Sequence, residues 1–388
     1  MDMSASHEFH PINSTSKTVH WILTLAVLLI TPSFASAFAF VEVEHVASML
    51  HLACFVHSAY ESLFLYFPDN VSNHENRTSK GISCFLTWKL GLILFVGTAV
   101  NSSNAVNNKW FKQKLYKFLS VTNALTGWVR VCLATVALFG FCYGASTGQC
   151  IAHGIMGSAF LFYGFVLAWV LVIPWIRKHS LTPGSHHRWG KEPWSHGHYQ
   201  HTAIGIIWWC SELLGMWLSR KNGQRSLIPA ILLIFTGYAI SQHAQHLEIK
   251  MKVHAIFGLV FTADGLSRII EISFLLKDRA CSCNGQILAF QLFPPLSLVI
   301  SGVLFMSANE EQLHLVHDLS ADHSSYIMVI CSAGFMVYLF MLVILAFYLR
   351  IVGYENDGEL SRFHYGNRAG NEEAEYELSE ISEDEGRE

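Results

Sequence analysis

The sequence has little charge and none of the signatures of a soluble enzyme. Only 14% of its 388 residues are charged, 52% are hydrophobic and the mean hydropathy is +0.34, which excludes a soluble domain of this length. It has no glycine-rich phosphate loop, no nucleophile elbow and no nicotinamide-binding fingerprint. It also lacks a basic patch interleaved with aromatic residues, so we expect no nucleic acid partner. The nine cysteines have no zinc-finger spacing.

The apolar residues are gathered into long runs. Several runs reach about 18 residues, the length that a helix needs to cross a hydrocarbon core roughly 30 Å thick. Because backbone polar groups within lipid must be satisfied inside the segment, such runs form helices. The sequence therefore predicts an all-α fold, a multi-pass transmembrane helical bundle of about eight or nine spans in the lipid bilayer.

Residues 1–37 have the pattern of a secretory signal. Lys17 precedes the apolar stretch Trp21–Ile30, and the letters P-S-F-A-S-A follow, ending in small residues at Ala37. This order predicts cleavage near Ala37, and an uncleaved signal anchor is the alternative. Either interpretation predicts a membrane of the secretory pathway, such as the endoplasmic reticulum, vacuole or plasma membrane. A glycoprotein is then expected, with N-glycosylation sequons at Asn70, Asn76 and Asn101.

Residues 38–117 are predicted to form an N-terminal membrane region with one or two helices. His45–Phe67 either spans the membrane or lies at its interface as an amphipathic helix. Cys84–Val100 is a clearer span. Asn101–Lys117 is rich in asparagine and lysine, which predicts a polar loop and a boundary before residues 118–180.

Residues 118–180 and 195–352 are predicted to hold the remaining membrane helices. The first segment contains Val121–Tyr143 and Ile151–Trp175, the latter with the letters H-G-I-M near its start. Five more helices are expected in the second segment: His201–Leu218, Leu227–Ile240, Lys252–Leu276, Ile287–Ser307 and Ser325–Ile351. A Pro-Pro pair inside the fourth of these predicts a kink.

The chain ends in an acidic tail. From Glu355 onward it has 12 acidic and 3 basic residues, so the tail carries a charge of −9 and the rest of the chain +5. A charged stretch with few apolar residues cannot bury enough surface to fold. Residues 353–388 are therefore predicted to be a disordered, solvated extension.

One predicted helix carries four ionisable residues inside an apolar segment. His254, Asp264, Arg268 and Glu271 recur at helical spacing and share one face. A charge within a membrane is costly unless it is paired. Glu212, on a neighbouring predicted helix, lies at a depth that predicts an ion pair with Arg268. Such an intramembrane charge network is either a proton path or structural glue between helices.

Several stretches between His198 and Arg350 resemble a known family. They read H-T-A-I-G-I-I-W-W-C, F-T-G-Y-A-I-S-Q-H-A-Q, K-V-H-A-I-F-G, G-L-S-R-I-I-E-I and F-M-S-A-N-E-E-Q, in this order. Together they resemble the carboxy-terminal domain of the fungal YTP-type multi-pass membrane proteins, and H-G-I-M resembles the domain that precedes it there. The helices of that family are similar in pattern to diheme b-type cytochromes and ferric reductases, in which histidines on neighbouring helices hold haem. The resemblance therefore implies a helical membrane fold and suggests electron transfer.

Haem ligands are implied among the histidines, and the expected helix directions select one pair. In the diheme pattern the two ligands of a haem lie on helices that run in the same direction. His201 and His254 meet this requirement, each near the first turn of its helix, and would hold one low-spin b haem. If the protein is an enzyme, it would then be a membrane oxidoreductase whose electron donor and acceptor are partners. Strict alternation of helices puts His153 alone on the opposite side of the membrane.

The histidines also suit metal ions. His243 and His246 form H-A-Q-H, and His314 and His317 form H-x-x-H, spacings that suit Zn, Cu or Fe. This second hypothesis predicts a metal-binding or transport protein. In a third hypothesis the histidines only form hydrogen bonds in a polar mouth, and the protein is structural or regulatory.

Overall fold

The computed structural model describes residues 14–66, 74–101, 106–142, 147–173, 226–242, 248–276 and 287–352, and five residues between 207 and 215. These described segments contain helices and no strands, which confirms the predicted all-α class. Seven of their helices are long and apolar enough to cross a membrane, so the multi-pass bundle is also confirmed. The predicted helix His201–Leu218 lies mostly outside the described residues, and the acidic tail lies wholly outside them.

The described part of the N-terminal half contains five α-helices. They are α1 (Ser14–Leu23), α2 (Thr31–Phe40), α3 (Glu44–Phe64), α4 (His74–Asn101) and α5 (Val106–Phe139). A π-helical stretch, Thr24–Ile30, joins α1 to α2 in one apolar rod. The prediction of a polar loop at Asn101–Lys117 is wrong over most of that stretch, because α5 already begins at Val106. Lysine, which occurs four times there, is a good helix former as well as a soluble residue.

The described part of the C-terminal half contains six α-helices. They are α6 (Thr147–Val172), α7 (Ile228–Ser241), α8 (Glu248–Ile270), α9 (Phe293–Met306), α10 (Glu310–Asp318) and α11 (His323–Val352). A π-helical stretch, Glu271–Leu275, extends α8, and a 3-10 turn, Ala289–Leu292, leads into α9. Pro294 and Pro295 lie in the first turn of α9, where a missing N–H breaks no hydrogen bond. The predicted proline kink is therefore wrong, because the two prolines begin a helix instead of bending one.

Side-chain caps mark the starts of α10 and α11. Asn309 accepts a hydrogen bond from the backbone N–H of Gln312 at 2.8 Å, and Asp322 accepts one from that of Ser325 at 3.0 Å. The bond from Ser325 holds the pKa of the Asp322 carboxyl below its ordinary value. The caps satisfy orphan N–H groups where the chain turns from α9 through α10 into α11.

Neighbouring long helices of the C-terminal half run antiparallel. The Phe257 ring of α8 lies 5.2 Å from the Phe305 ring of α9, and Gln291, before α9, donates to Glu271 at the far end of α8 at 3.1 Å. The backbones of α6 and α9 approach so closely that a Cβ added to Gly157 would lie 2.5 Å from the Gly302 oxygen. Such small-residue contacts are typical of packed membrane helices.

The helix ends form two sides of the bundle. On the disulfide side α5 ends and α6 begins, and Cys142 and Cys150 form a disulfide with Cα atoms 5.5 Å apart. The start of α8, the end of α9 and the start of α11 lie on the same side, where Tyr326 Oη donates to Ser307 O at 2.7 Å. The opposite side, which we call the lysine side, holds the start of α5 and the ends of α2, α4 and α11.

Apolar side chains fill the interior and also cover the outside. Buried clusters include Leu86 and Leu90 in the N-terminal half and Phe261 and Leu298 in the C-terminal half. Trp88 on α4 is 79% exposed. Large apolar side chains on the outer surface of a long helix suit contact with lipid rather than water.

Candidate functional site

Polar side chains, most of them buried, form a stripe between the parallel helices α3 and α5. Three pairs, each with one member from either helix, mark its course: Ser48 and Tyr116 at 3.3 Å, His51 and Ser120 at 3.1 Å, and Glu61 and Arg130 at 3.2 Å. We call these six residues the N-terminal polar stripe. From Ser48 near the lysine side to Glu61 near the disulfide side, it extends about 20 Å at about 1.5 Å per residue.

Glu61 gathers most of the polar contacts at one end of the stripe. It is 2% exposed, and its Oε2 accepts hydrogen bonds from Arg130 Nε at 3.2 Å and from Ser83 Oγ at 2.8 Å. Its Oε1 lies 3.2 Å from His57 Nε2 and 3.3 Å from His20 Nδ1. Side chains from α1, α3, α4 and α5 thus surround one carboxylate, and we call this group the Glu61 centre.

Local helix geometry brings these side chains together. His57 and Glu61 are four residues apart on α3, so they share one face. Thr24, whose hydroxyl lies 3.5 Å from Glu61 Oε1, is the first residue of the π-helical stretch between α1 and α2. π-Helical turns are rare in proteins, and those that occur often lie at functional sites. Glu271, in the C-terminal half, begins the other π-helical stretch.

Several buried atoms of this region have no hydrogen-bond partner among the described residues. They are His51 Nδ1, Asn123 Oδ1, Arg130 Nη1 and His57 Nε2, the last of which lies 3.2 Å from Glu61 Oε1 but without the angles of a hydrogen bond. Asn123, which is 1% exposed, lies on α5 between Ser120 and Arg130. Since buried polar groups almost always find partners, each unsatisfied group calls for a reason such as a water or an ion. In the described part of the chain, the remaining atoms of this kind belong to Asp264 and Ser301.

The segment that the sequence predicts as a secretory signal is part of this assembly. Trp21 Nε1 donates to Thr135 Oγ1 at 2.9 Å, and Ser36 Oγ donates to Ser120 O at 2.8 Å. His20 contacts Glu61, and cleavage near Ala37 would remove all three of these N-terminal side chains. The packing favours the signal-anchor alternative, and both interpretations stay predictions.

A second buried polar group lies at the lysine-side end of α8. Arg268 Nη1 donates to Glu271 Oε2, and Gln291 Nε2 donates to Glu271 Oε1 at 3.1 Å. Asp264 lies on the same face of α8 and is 1% exposed. Glu212, the predicted partner of Arg268, lies outside the described residues, so that ion pair stays a prediction. The structure instead pairs Arg268 with an acid on its own helix.

His254 and His153 lie on the same side of the bundle. His254 Nδ1 is 2.8 Å from Lys250 O, and His153 Nδ1 is 2.8 Å from Gln149 O. His153 also stacks on Phe305 at a centroid distance of 4.9 Å. The expectation that His153 stands alone on the opposite side is wrong. It assumed one crossing between α6 and α7, whereas the end of α6 and the start of α7 both lie on the lysine side.

The described geometry fits one half of the predicted haem site. An Nδ1–H donated to a backbone carbonyl leaves the lone pair on Nε2, which is the arrangement that ligating histidines use, and His254 has it. His201, the other predicted ligand, lies outside the described residues. His153 has the same arrangement, with its Nδ1 2.8 Å from Gln149 O, and its ring stacks on Phe305.

The predicted metal ligands are only partly described. His314 and His317 lie exposed on α10, on the disulfide side, and His317 Nδ1 is 3.5 Å from Asp318 Oδ1. His243 and His246 lie outside the described residues. Within the described ranges no group of three or more histidine, cysteine or acidic residues could hold a metal ion. The metal hypothesis therefore stays a prediction.

The apolar spanning helices with polar groups in their interior define a multi-pass α-helical integral membrane protein. The family described as "Protein YTP1-like, C-terminal" matches residues 126–179 and 185–349. The chain is 44% identical over 401 aligned residues to "Protein YTP1" of Saccharomyces cerevisiae, which covers 96% of this chain and 86% of that protein. The chain therefore belongs to the YTP1-like family of fungal membrane proteins, as its motifs predict.

A more distant relative has the same membrane character. An "Uncharacterized membrane protein" of Schizosaccharomyces pombe is 21% identical over 292 residues, which cover 56% of each chain. No solved structure matches this chain. Membrane location is thus confirmed, and the secretory compartment, signal, glycosylation and haem stay predictions.

Proposed function

We propose that this membrane protein conducts protons through the N-terminal polar stripe, with Glu61 as the group that receives and passes the proton. The observation that carries the proposal is the contact of one buried carboxylate oxygen with two imidazoles. His57 and His20 approach the same Oε1 of Glu61, at 3.2 Å and 3.3 Å. Chains of carboxylate and histidine residues inside a membrane are typical of proton relays.

The two oxygens of Glu61 would have different roles. Oε2 is held by fixed donors, Arg130 Nε and Ser83 Oγ, and Arg130 keeps its charge. Oε1 faces the two imidazoles, and histidine is the side chain that most readily gains and loses a proton near neutral pH. A proton that arrives on one imidazole moves to Oε1 by breaking an N–H bond and forming an O–H bond. It then moves to the other imidazole by the reverse exchange.

The remainder of the stripe supplies a route between Glu61 and the lysine side. His51, Ser120, Ser48 and Tyr116 carry groups that both donate and accept hydrogen bonds, and they are in contact in pairs. Asn123 lies between these pairs and the Glu61 centre, with a buried oxygen that lacks a partner. Water can bridge polar groups of this kind when each gap offers several partners.

A purely structural ion pair would need fewer groups. Glu61 and Arg130 with Ser83 already balance the charge, so the two histidines add nothing that charge balance requires. The presence of the histidines, and the unsatisfied atoms along the stripe, favour proton transfer over a purely structural role. Replacing both charged residues of a buried ion pair by apolar ones often stabilises a protein. Stability alone is therefore a weak reason for the chain to keep Glu61 and Arg130.

The test measures proton flux into sealed liposomes that contain the purified full-length protein and a trapped pH-sensitive dye. A potassium gradient with valinomycin sets the driving potential. We expect Glu61→Gln to lower the rate by about tenfold or more, as loss of a positioned proton-transfer group does. Glu310→Gln, whose side chain is 47% exposed, is the matched control and should conduct normally. Equal rates for empty and loaded vesicles, or an unchanged rate in Glu61→Gln, would refute the proposal.

A second candidate function is electron transfer through a b haem held by His201 and His254. The hydrogen bond from His254 Nδ1 to Lys250 O, which orients Nε2 as a ligand, favours it. Such a haem would accept and give single electrons. Protein from haem-replete cells would then have a reduced-minus-oxidised b-type spectrum, lost in His254→Ala and kept in His314→Ala. A spectrum without a Soret band would exclude this candidate.

The metal hypothesis predicts a different result. Elemental analysis of gently purified protein would find Zn, Cu or Fe, and the content would fall in variants of the four predicted ligands: His243, His246, His314 and His317. His153→Ala should keep its metal. Gently purified protein that contains no Zn, Cu or Fe would exclude this site.

A further inference from the structure

The Asp264 carboxylate of α8 has an unusual environment. Asp264 is 1% exposed, and neither of its oxygens has a hydrogen-bond partner among the described residues. The residue lies well inside the long span Glu248–Leu275. A carboxylate that is buried without a partner is costly in its charged form. It therefore calls for a bound proton or cation.

The register of α8 and α9 places a second unsatisfied group beside it. Phe257 of α8 contacts Phe305 of α9, and Glu271, fourteen residues after Phe257, contacts Gln291, fourteen residues before Phe305. Asp264, midway along this stretch, is thus level with Leu298 of α9. Ser301 lies one turn from that level, is 0% exposed, and its Oγ also has no partner in the described part of the chain.

Ser301 is on the face of α9 that points to α8. Leu298 and Phe305, three residues before it and four after it, belong to the same buried cluster as Phe257 and Phe261. Residues at this spacing share a helix face. The unsatisfied hydroxyl and the unsatisfied carboxylate therefore lie at one interface, about one helical turn apart in level.

Among the described residues, the charges around Asp264 do not neutralise it. On its own helix Arg268 forms an ion pair with Glu271, which compensates the positive charge. The sequences of α7 and α9, which pack against α8, contain no charged residue. Tyr163 of α6, packed against the same cluster, is the titratable side chain contributed by that helix at this depth.

We propose that Asp264 is a proton-binding site and holds a proton at neutral pH, separately from the Glu61 relay. Protonation forms one O–H bond on Asp264 and breaks one on the donor, a hydronium ion or a protonated side chain. A proton fits better than a metal cation. Hard cations take about six oxygen ligands, and this place offers two carboxylate oxygens and one hydroxyl among the described residues.

The site would give the C-terminal half its own protonatable group, in a part of the bundle that the Glu61 relay does not reach. Asp264 in the neutral state can donate one hydrogen bond and accept others, so a small approach of α9 would let it pair with Ser301. Loss of its proton would place a bare charge among Phe261 and Leu298. Protonation is therefore coupled to how closely α8 and α9 pack.

Infrared spectroscopy of the purified full-length protein at neutral pH tests the site, because protonated carboxyls absorb apart from carboxylates. We expect a protonated-carboxyl band that disappears in Asp264→Asn, whose amide copies the shape of the neutral acid. Asp322→Asn, the same change at an exposed acid, should keep the band. The midpoint of thermal unfolding should be unchanged in Asp264→Asn. A band that persists in Asp264→Asn, or its absence from the unmodified protein, would overturn the proposal.

Dicyclohexylcarbodiimide gives an independent measurement. This apolar reagent adds a protonated carboxyl across one C=N bond, with the acid proton moving to nitrogen, and the adduct rearranges to a stable acylurea. Mass spectrometry of peptides should find the adduct on Asp264 and none on Asp322. Labelling confined to exposed acids would overturn the proposal. Neither measurement involves transport, so a failed proton-flux assay and a failed Asp264 assay are distinguishable.

Discussion

Glu61 of α3 and Arg130 of α5 form an ion pair at 3.2 Å inside the bundle, although 69 residues separate them in the chain. Arg130 is 0% exposed and is the largest fully buried side chain in the described residues. Both charges have left water, which costs several kcal/mol each, and the pair with its hydrogen bonds offsets that cost. The pair therefore ties α3 to α5 only as long as both partners are present.

Replacing Arg130 by Met should destabilise the protein by about 3–5 kcal/mol, because it leaves the Glu61 charge buried with no cationic partner on α5. The measurement is the midpoint of thermal unfolding in detergent, followed by size-exclusion chromatography of the soluble fraction. Lys114→Met, which removes an exposed charge from the same helix, should change the midpoint little.

The double variant Glu61→Gln with Arg130→Met separates charge from packing. Because it removes the stranded charge, it should recover part of the stability that Arg130→Met loses. Equal midpoints for the Arg130→Met and double variants would mean that the carboxylate does not depend on the guanidinium, and would remove the ion pair as a stabilising contact.

The N-terminal helix should remain attached to the mature protein. Trp21 donates to Thr135, and Ala35 is 0% exposed against the bundle, so removal of α1 and α2 would expose an apolar groove and the Glu61 centre to lipid or water. Mass spectrometry of purified protein should therefore detect peptides from residues 14–40. An amino terminus near Phe38 would show cleavage and would remove His20 from the proton relay.

Hydropathy alone predicted the fold class, because the cost of burying backbone polar groups in lipid leaves helices as the only outcome for runs such as Ser325–Ile351. Local spacing also brings Arg268 and Glu271 together, since residues three apart share a helix face and these two form an ion pair. Such features depend on neighbours within one helix, and the sequence displays those directly.

Contacts between distant helices were not predictable in the same way. Arg130 and Glu61 were visible as charges in apolar segments, and His57 with Glu61 at a spacing of four residues was a usable signal. The spacing within α3 does not show that its partner lies on α5, and a segment with the pattern of a secretory signal, such as the one containing His20, is not expected inside the folded bundle. The side of His153 was wrong for a related reason, since counting helices in sequence assumes that each segment crosses the membrane once.

The disulfide side should face the secretory lumen or the cell exterior. The bond between Cys142 and Cys150 requires an oxidising compartment, and lysines gather on the opposite side in the first turns of α5, at Lys112, Lys114 and Lys117. The chain that leaves α11 after Val352 would then enter the cytoplasm. An epitope tag at the carboxyl terminus should be digested by protease added to sealed, cytoplasm-side-out vesicles. A tag that is protected until detergent is added would reverse the orientation.

Two glycines of α6 should respond in opposite directions to the same substitution. Gly157→Ala places a methyl group 2.5 Å from the Gly302 oxygen of α9, so the helices must separate, and overpacking of this kind costs about 1–3 kcal/mol. Gly154→Ala, one turn earlier, meets no described residue within 4 Å and gains up to about 1 kcal/mol from the better helix propensity of alanine. Thermal unfolding in one detergent measures both changes, and the midpoint should fall for Gly157→Ala and stay level or rise for Gly154→Ala. If both variants shifted the midpoint in the same direction, the close approach of α6 and α9 at Gly157 would be wrong.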